Sequence, residues 1–320
     1  MRVAFGGRIA RKDVIERVSA MPGIAFTAVG DLTELAPLVG ATDVLVISDP
    51  RGAEGEVLAA ALRRPENAVR WVQIVSAGVD GLVSHGIPSS LVITNQGGAL
   101  APQVAEHAMA LLLGIARQIG PIYERSHRHT WDRVFAPAIF SLEGRVLAIA
   151  GFGNIGRELA RRAKSFDMRV LGLARSPKDE PFADEMHPLT ALHAVLGRAD
   201  VVAVCIALGP STRRLIDARA FAACKPGALL INVSRGETID PVALRAALES
   251  GRLAGAAVDV TDIEPLPDGD PLWGSPNLIV SPHVAGGGGA FTGKRIADMV
   301  VDNLQRYQRG EPLLHVVDLS

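Results

Sequence analysis

Short apolar runs alternate with helix-like segments along almost the whole chain. Runs such as Val72–Val75 and Val201–Ile206 are nearly continuous in apolar residues and do not alternate with polar ones. Such runs are typical of parallel strands, because helices cover both faces of a parallel sheet. The pattern therefore predicts an α/β fold of two doubly wound, parallel-sheet domains of the Rossmann or flavodoxin type, built from β-α-β units.

The predicted strands fall into two series, which suits two domains in a chain of 320 residues. The first series has five strands, and the second, which begins at Arg145, has six. A helix over about 102–118 and an irregular stretch over 120–143 separate them. Four consecutive glycines, Gly286–Gly289, indicate a flexible joint before a last helix over about 291–307.

The composition excludes several classes of partner and compartment. The 33 Lys+Arg and 34 Asp+Glu give a net charge of −1, so neither nucleic acid nor an anionic membrane is an expected partner. The longest apolar stretch, Ala108–Ala116, is far below the roughly 20 residues of a membrane span. Cys205 and Cys224 are expected to be free thiols in a reducing, cytoplasmic compartment. The spacing of His, Cys and Asp predicts no metal site.

The second series opens with a glycine-rich turn between a strand and a helix, Gly151-Phe152-Gly153-Asn154-Ile155-Gly156. In a dinucleotide site, the first glycine permits the tight turn, the second admits the pyrophosphate, and the third lets the helix pack closely. The helix N-terminus offers N–H groups and a positive dipole end to the anion. The turn therefore predicts a cofactor site, with an ordinary strand–helix turn as the alternative. Its expected contacts are Gly151, Gly153, Asn154, Ile155 and Gly156.

The next strand ends without the acidic residue that usually marks an NAD site. An Asp or Glu there bonds the ribose 2′-hydroxyl, but the expected position holds Ala174, followed by Arg175 and Ser176. An acid would repel a 2′-phosphate, whereas arginine and serine can bind it. The sequence therefore predicts NADP as the preferred cofactor. The alternative is an exposed arginine and a relaxed choice that includes NAD.

Four further segments carry a family resemblance. They are 104–107 (VAEH), 232–236 (NVSRG), 258–267 (VDVTDIEPLP) and 281–286 (SPHVAG). With the glycine-rich turn, they resemble the D-isomer-specific 2-hydroxyacid dehydrogenases, and the resemblance extends from Trp71 to Leu313. The order and spacing of Arg235, Glu264 and His283 are specific to that family.

The resemblance implies a discontinuous substrate domain, 1–99 and 290–320, and a dinucleotide-binding Rossmann domain, 100–289. It also implies that the nicotinamide and the substrate bind in a cleft between the domains, and that two copies form a homodimer through the dinucleotide domains. In glyoxylate and hydroxypyruvate reductases of the family, a tryptophan in the region that corresponds to Trp131 reaches the active site of the partner subunit. Packing of Trp131 within its own chain is the alternative.

The same resemblance assigns three catalytic residues whose chemistry suits the reduction of a 2-keto acid. Arg235 would hold the carboxylate and polarise the carbonyl, because guanidinium is a permanently charged fork. His283 would protonate the carbonyl oxygen, because histidine exchanges protons near neutral pH. Glu264 would accept a hydrogen bond from the other ring nitrogen, which orients the ring and favours imidazolium.

Other residues are assigned to binding by the resemblance. Ser76, Ala77 and Gly78 would offer backbone N–H groups to the substrate carboxylate, together with Arg235 and His283. Asp259 resembles the residue that bonds the nicotinamide carboxamide. Further cofactor contacts are expected at Ile206, Ala207, Thr212, Val233, Ser234, Arg235, His283 and Gly286. His107 is interpreted as a packing or supporting residue, and Asn95 as a residue that lines the cleft.

These residues predict an oxidoreductase that transfers a hydride between NADP(H) and a small 2-keto or D-2-hydroxy acid, of the glyoxylate or hydroxypyruvate type. Two other interpretations stay open. One is another dehydrogenase of the same superfold, such as a phosphite or formate dehydrogenase, although the segment 281–284 argues against formate dehydrogenases. The other is a dinucleotide-sensing protein like the C-terminal-binding-protein corepressors, against which the lack of long disordered tails argues.

Overall fold

The computed structural model describes residues 1–50 and 52–317, which form two compact units. The first unit comprises Met1–Leu100 and Gly288–Ser320, and the second comprises Ala101–Gly287. The sequence places the two boundaries after residues 99 and 289, and the structure places them after residues 100 and 287. The second boundary falls inside the run of four glycines.

The first unit is built on a parallel sheet of five strands in the order β2-β1-β3-β4-β5. These strands are β1 (Arg2–Gly6), β2 (Ala25–Ala28), β3 (Val44–Ile47), β4 (Trp71–Ile74) and β5 (Val92–Thr94). Its first helices are α1 (Arg11–Ser19), α2 (Gly52–Leu62) and α3 (Asp80–Val83), with a 3₁₀ segment at Leu32–Ala41. Every residue of β3 and β4 is buried, including the polar Gln73 of β4, as nearly continuous apolar runs predict.

The second unit is built on a parallel sheet of seven strands in the order β12-β11-β10-β9-β6-β7-β8. These are β6 (Val146–Ala150), β7 (Arg169–Ala174), β8 (Glu185–Pro188), β9 (Val201–Val204), β10 (Ala228–Asn232), β11 (Leu253–Val258) and β12 (Leu278–Val280). Its helices are α4 (Ala101–Ala116), α5 (Ile119–His127), α6 (Asn154–Lys164), α7 (Leu192–Leu196), α8 (Ala218–Ala223) and α9 (Pro241–Glu249), and its 3₁₀ segments are Leu189–Ala191, Gly236–Thr238 and Pro271–Gly274. The chain reverses its winding direction between β6 and β9, where open α/β sheets bind ligands.

Two expectations for the second unit are wrong. The sequence predicts six strands, and the structure has a seventh, β8, a short and polar edge strand. The sequence also predicts an irregular stretch over 120–143, but its beginning belongs to α5. Pro121 lies in the first turn of α5, where proline is tolerated because the missing N–H has no partner in any helix. The fold class itself, two parallel α/β sheets, is confirmed.

The last helix, α10 (Thr292–Arg309), belongs to the first unit. The chain after it returns to the sheet, where Val316 forms an antiparallel bridge with Thr94. The N–H of Val317 also donates to the carbonyl of Ile93 at 2.9 Å. The sheet of the first unit is therefore completed by residues from both ends of the sequence.

A buried polar network ties α10 to this sheet. Asn303 Nδ2 donates to Gln73 Oε1 at 2.9 Å and to the carbonyl of Leu314 at 3.1 Å, while the N–H of Leu314 donates to Asn303 Oδ1 at 2.7 Å. Thr94 Oγ1 donates to Gln73 Oε1 and accepts from Trp71 Nε1, both at 2.8 Å. The side-chain partners are all inaccessible to solvent, so each bond replaces one that water would otherwise make.

Among the helices of residues 1–50 and 52–317, none has the length and apolar character that a membrane span needs. Within the same ranges, there is also no group of three or more His, Cys, Asp or Glu residues that could hold a metal ion.

Candidate active site

One edge of the second sheet collects the candidate residues. Strands β6, β9, β10, β11 and β12 run parallel, so their carboxyl ends lie along one edge. Gly151 follows β6, Arg235 comes shortly after β10, Asp259 follows β11 directly, and His283 comes shortly after β12. Residues that are far apart in sequence therefore lie on neighbouring segments.

The glycine-rich turn lies where the winding direction changes. Gly151 has a φ of +99°, and a Cβ there would lie 2.6 Å from the Cα of Ile206, so the turn requires glycine at this position. A Cβ on Gly156 would overlap the carbonyl oxygen of Gly151, which shows how closely α6 begins against the turn. Gly153 faces open space, since a Cβ there would meet no atom within 4 Å.

The N-terminus of α6 is open to a ligand. The helix begins at Asn154, and no side chain of the described residues caps its first N–H groups. Uncapped N–H groups and the positive end of the helix dipole attract an anion. Together with the open space beside Gly153, this arrangement fits the pyrophosphate of a dinucleotide. The residues that could hold it are Gly151, Gly153, Asn154, Ile155 and Gly156.

The residues expected to choose between NADP and NAD follow β7. Arg175 and Ser176 are both exposed, directly after the last residue of the strand, Ala174. In the part of the chain that the structure describes, Arg175 makes no hydrogen bond or ion pair. Its guanidinium is therefore available to an anionic ligand.

Glu264 and His283 meet in the structure. His283 Nδ1 lies 2.7 Å from Glu264 Oε2, with the carboxylate as the acceptor. The other carboxylate oxygen, Oε1, accepts from the N–H of Thr261 at 3.2 Å, which fixes the carboxylate to its own backbone. Because Nδ1 is engaged, Nε2 is the ring nitrogen left to exchange a proton with a ligand.

Arg235 is carried against the segment that leads to Glu264. The residue after it, Gly236, has no room for a side chain, because a Cβ would overlap the carbonyl carbon of Thr261. Arg235 itself is half-buried, and its Nη1 donates to the carbonyl of Ser234 at 2.9 Å. The backbone next to Arg235 is thus in close contact with the backbone at Thr261, three residues before Glu264.

Asp259 anchors the segment that carries His283. This carboxylate is 1% exposed, and its Oδ1 accepts from Ser281 Oγ at 2.6 Å and from the N–H of Val284 at 3.0 Å. Its Oδ2 accepts from the N–H of Ala285 at 2.9 Å. These bonds flank His283, whose φ of +53° is a left-handed conformation that costs about 1 kcal/mol or more in a residue with a Cβ. Asp259 therefore holds the histidine backbone in a strained position.

His107, on α4, reaches the same anchor. Its Nε2 lies 3.1 Å from Ser281 Oγ and 3.3 Å from Asp259 Oδ1. The structure thus places His107 beside the support of the His283 segment. No local sequence pattern could have predicted this contact, because His107 and Ser281 are 174 positions apart in the sequence.

Comparison with known families shows the family to which this chain belongs. The family model described as "D-isomer specific 2-hydroxyacid dehydrogenase, NAD binding domain" matches residues 109–285. That range is more than half of the chain, and it includes the glycine-rich turn, Arg235, Glu264 and His283. The chain belongs to the D-isomer specific 2-hydroxyacid dehydrogenase family.

Individual relatives agree with this assignment. A glyoxylate reductase from Korarchaeum cryptofilum (strain OPF8) is 33% identical over 275 residues, which are 84% of this chain and 80% of the relative. A solved D-isomer specific 2-hydroxyacid dehydrogenase family protein from Aeromonas salmonicida subsp. salmonicida A449 matches with a TM-score of 0.85 and 31% identity, over 100% of this chain and 99% of that chain. An NADPH-dependent glyoxylate/hydroxypyruvate reductase from Sinorhizobium meliloti, solved with NADP and sulfate, matches with a TM-score of 0.82 and 25% identity, over 99% and 98%. The dehydrogenase is thus an oxidoreductase that acts on CH–OH donors and has an NAD(P)-binding domain.

In this dehydrogenase, the side chain of Thr212 holds the segment after β9 through hydrogen bonds to its backbone. The buried Thr212 Oγ1 donates to the carbonyl of Ala207 at 2.7 Å and accepts from the N–H of Gly209 at 2.8 Å. Burial raises the pKa of Cys205, at the start of the same segment, to about 12, so its thiol is protonated at neutral pH. The other expected cofactor contacts lie after β9, β10 and β12: Ile206, Val233, Ser234 and Gly286.

The expected substrate loop of the dehydrogenase belongs to the first unit. Ser76, Ala77 and Gly78 follow β4, and Ser76 Oγ accepts from the N–H of Asp49 at 2.8 Å and donates to the carbonyl of Gly78 at 3.3 Å. Asn95 follows β5, the neighbouring parallel strand. The loop and Asn95 therefore lie at the same carboxyl edge of the first sheet.

Proposed function

We propose that this dehydrogenase reduces a small 2-keto acid of the glyoxylate or hydroxypyruvate type to the D-2-hydroxy acid, with NADPH preferred over NADH. The observation that carries the proposal is the hydrogen-bonded His283–Glu264 pair, at the same sheet edge as Arg235 and the glycine-rich turn. The relatives named glyoxylate reductase and glyoxylate/hydroxypyruvate reductase support a small keto acid as the substrate.

The proposed chemistry assigns one task to each side chain. A bound NADPH would supply the hydride for the carbonyl carbon, and the segments after β6 and β7 would hold it. Arg235 holds the carboxylate and polarises the carbonyl, because its guanidinium remains charged. His283 gives the proton from Nε2 to the carbonyl oxygen, while Glu264 keeps the ring oriented through Nδ1. In the reverse direction, neutral His283 accepts the proton of the alcohol.

The binding roles are part of the same proposal. Ser76, Ala77 and Gly78 offer N–H groups to the substrate carboxylate. Asp259 contributes by holding the His283 segment, in addition to the nicotinamide contact that the family resemblance assigns to it. The cofactor contacts are those of the segments after β6, β7, β9, β10 and β12.

The direct test is NADPH oxidation at 340 nm with glyoxylate, hydroxypyruvate, pyruvate and phenylpyruvate, repeated with NADH. We expect turnover with the two small acids and a higher kcat/KM with NADPH than with NADH. Oxidation of phosphite or formate without turnover of any 2-keto acid would overturn the substrate class. Tight dinucleotide binding without turnover of any compound would favour the corepressor-like sensing function instead.

Arg175 provides the mutational test of cofactor choice. We expect Arg175→Ala to raise the KM for NADPH by about 10- to 100-fold, which is what the loss of a hydrogen bond between charged groups costs, and to leave the KM for NADH within about threefold. Arg64→Ala, which removes an exposed arginine of the first unit, is the matched control and should change neither constant. Equal weakening of both cofactors would show that Arg175 does not contact the 2′-phosphate.

We also infer that the dehydrogenase is a homodimer. Trp131 is 89% exposed, so it does not pack within its own chain, and Tyr123 and Val134 are also largely exposed. Large apolar side chains clustered in one stretch of sequence are typical of a surface that another chain covers. Sedimentation equilibrium tests this inference, because a mass of one chain at micromolar concentration would contradict it.

Two free cysteines support a reducing compartment such as the cytoplasm.

A further inference from the structure

A two-point ion pair joins the start of α6 to the segment that follows β7. Arg157 Nε donates to Glu180 Oε2 at 2.9 Å, and Arg157 Nη2 donates to Glu180 Oε1 at 2.7 Å. The Glu180 side chain is only 8% exposed. The Arg157 guanidinium holds the pKa of Glu180 below its usual range, so the pair is charged at neutral pH. Forked pairs of this kind fix geometry as well as charge.

The residues that would contact a 2′-phosphate have no such anchor of their own. Arg175, Ser176 and Lys178 are exposed, and among the described residues neither Arg175 nor Lys178 forms a hydrogen bond or ion pair. Glu180 is the first side chain after β7 that is fixed to another element. The Arg157–Glu180 pair is therefore the first side-chain contact that holds the far end of the segment 175–180 to another element.

The other end of the pair lies on the helix that would bind the pyrophosphate. Arg157 is in the first turns of α6, and its N–H donates to the carbonyl of Gly153 at 2.9 Å. The pair thus connects the glycine-rich turn to the segment of Arg175, which are the two places where a phosphorylated dinucleotide carries negative charge. It also neutralises Glu180, an acid close in sequence to Arg175 that would otherwise repel a 2′-phosphate.

We propose that Arg157 and Glu180 are positioning residues for cofactor selection: they hold the segment 175–180 against α6, so that Arg175 meets the 2′-phosphate of NADP(H). The inference rests on the NADPH preference proposed above and adds to it two residues that touch neither the substrate nor the reacting atoms.

The experiment compares Glu180→Ala and Glu180→Gln with the wild-type enzyme by measuring Kd and KM for NADPH and NADH. We expect each variant to raise the Kd and KM for NADPH by about 10-fold and those for NADH by less than threefold, with kcat unchanged. Glu180→Gln keeps the volume of the side chain, so it remains informative if Glu180→Ala fails to fold. Glu158→Gln breaks ion pairs on the same helix without touching the segment 175–180, and this control should leave the NADPH/NADH ratio unchanged.

The double variant Arg175→Ala/Glu180→Gln separates positioning from a general loss of structure. If Glu180 acts through Arg175, adding Glu180→Gln to Arg175→Ala should not change the NADPH/NADH ratio further. Additive effects would overturn the inference, as would a wild-type NADPH preference that Glu180→Gln leaves intact. Equal wild-type constants for NADPH and NADH would overturn the proposed cofactor choice and this inference with it.

Discussion

We expect His283→Ala to lower kcat for the reduction of glyoxylate by about 10³-fold while the Kd for NADPH stays within about threefold of the wild-type value. The variant removes the group that donates the proton, but it leaves the glycine-rich turn and α6 untouched. Steady-state rates at 340 nm give kcat, and titration of protein fluorescence with NADPH gives Kd. Turnover near the wild-type rate would refute the role of His283 as proton donor.

The left-handed backbone of His283 offers a sharper version of the same experiment. Asparagine adopts a positive φ more readily than most residues with a Cβ, so His283→Asn should keep the left-handed backbone at this position. It should nevertheless show the same loss of kcat, because an amide does not exchange protons near neutral pH. His129→Ala replaces an exposed histidine with a similar φ of +53° and should leave kcat unchanged.

Asn303→Ala is expected to lower the free energy of unfolding of the first unit by about 3 kcal/mol. The substitution removes three hydrogen bonds, leaves the N–H and carbonyl of Leu314 without a side-chain partner, and takes a donor from the buried Gln73 Oε1. Urea unfolding followed by tryptophan fluorescence measures the change, because Trp71 belongs to the same network.

Gln308→Ala is the matched control for this prediction. Gln308 lies on the same helix but is exposed, and its Nε2 makes one bond, to the carbonyl of Pro22 at 3.2 Å. Its replacement should change the free energy of unfolding by less than about 0.5 kcal/mol. A loss below about 1 kcal/mol for Asn303→Ala would show that the network contributes little to stability.

The elements that the sequence predicts are those that bury apolar side chains. Strands β3, β4, β9 and β10 are buried at every position, and each is apolar in sequence except for Gln73 in β4 and Asn232 in β10. Strand β8 lies at an edge and carries Glu185, which pairs with Arg198 at 2.6 Å instead of entering a core. Helix α5 buries no residue, and its apolar side chains, Ile119, Ile122 and Tyr123, are exposed instead of packing into a core. Hydrophobic patterns in a sequence reveal the elements that bury apolar side chains, and neither β8 nor α5 buries any residue.

The contacts of the candidate site also divide into those that the sequence predicts and those that it does not. The family resemblance predicts that Glu264 and His283 interact, and the structure brings their side chains together. The support of Asp259 for the His283 segment and the Arg157–Glu180 pair were not predictable, because each joins residues whose separation in sequence follows no pattern. Such contacts depend on where loops place side chains, and loop conformation leaves little trace in the order of residue types.

The split composition of the first unit also bears on how the protein is made. A chain leaves the ribosome from its N-terminus, and domains usually fold as their residues emerge. The second unit has all of its strands once Val280 has appeared, whereas the first sheet still lacks Asn303, Leu314 and the bridge of Val316. The middle of the polypeptide can therefore reach its native packing first. The strands before residue 100 lack these partners until α10 and the segment after it have been synthesised, and in that interval the edge of β5 and the polar groups of Gln73 and Thr94 are open to contacts with chaperones or with other nascent chains.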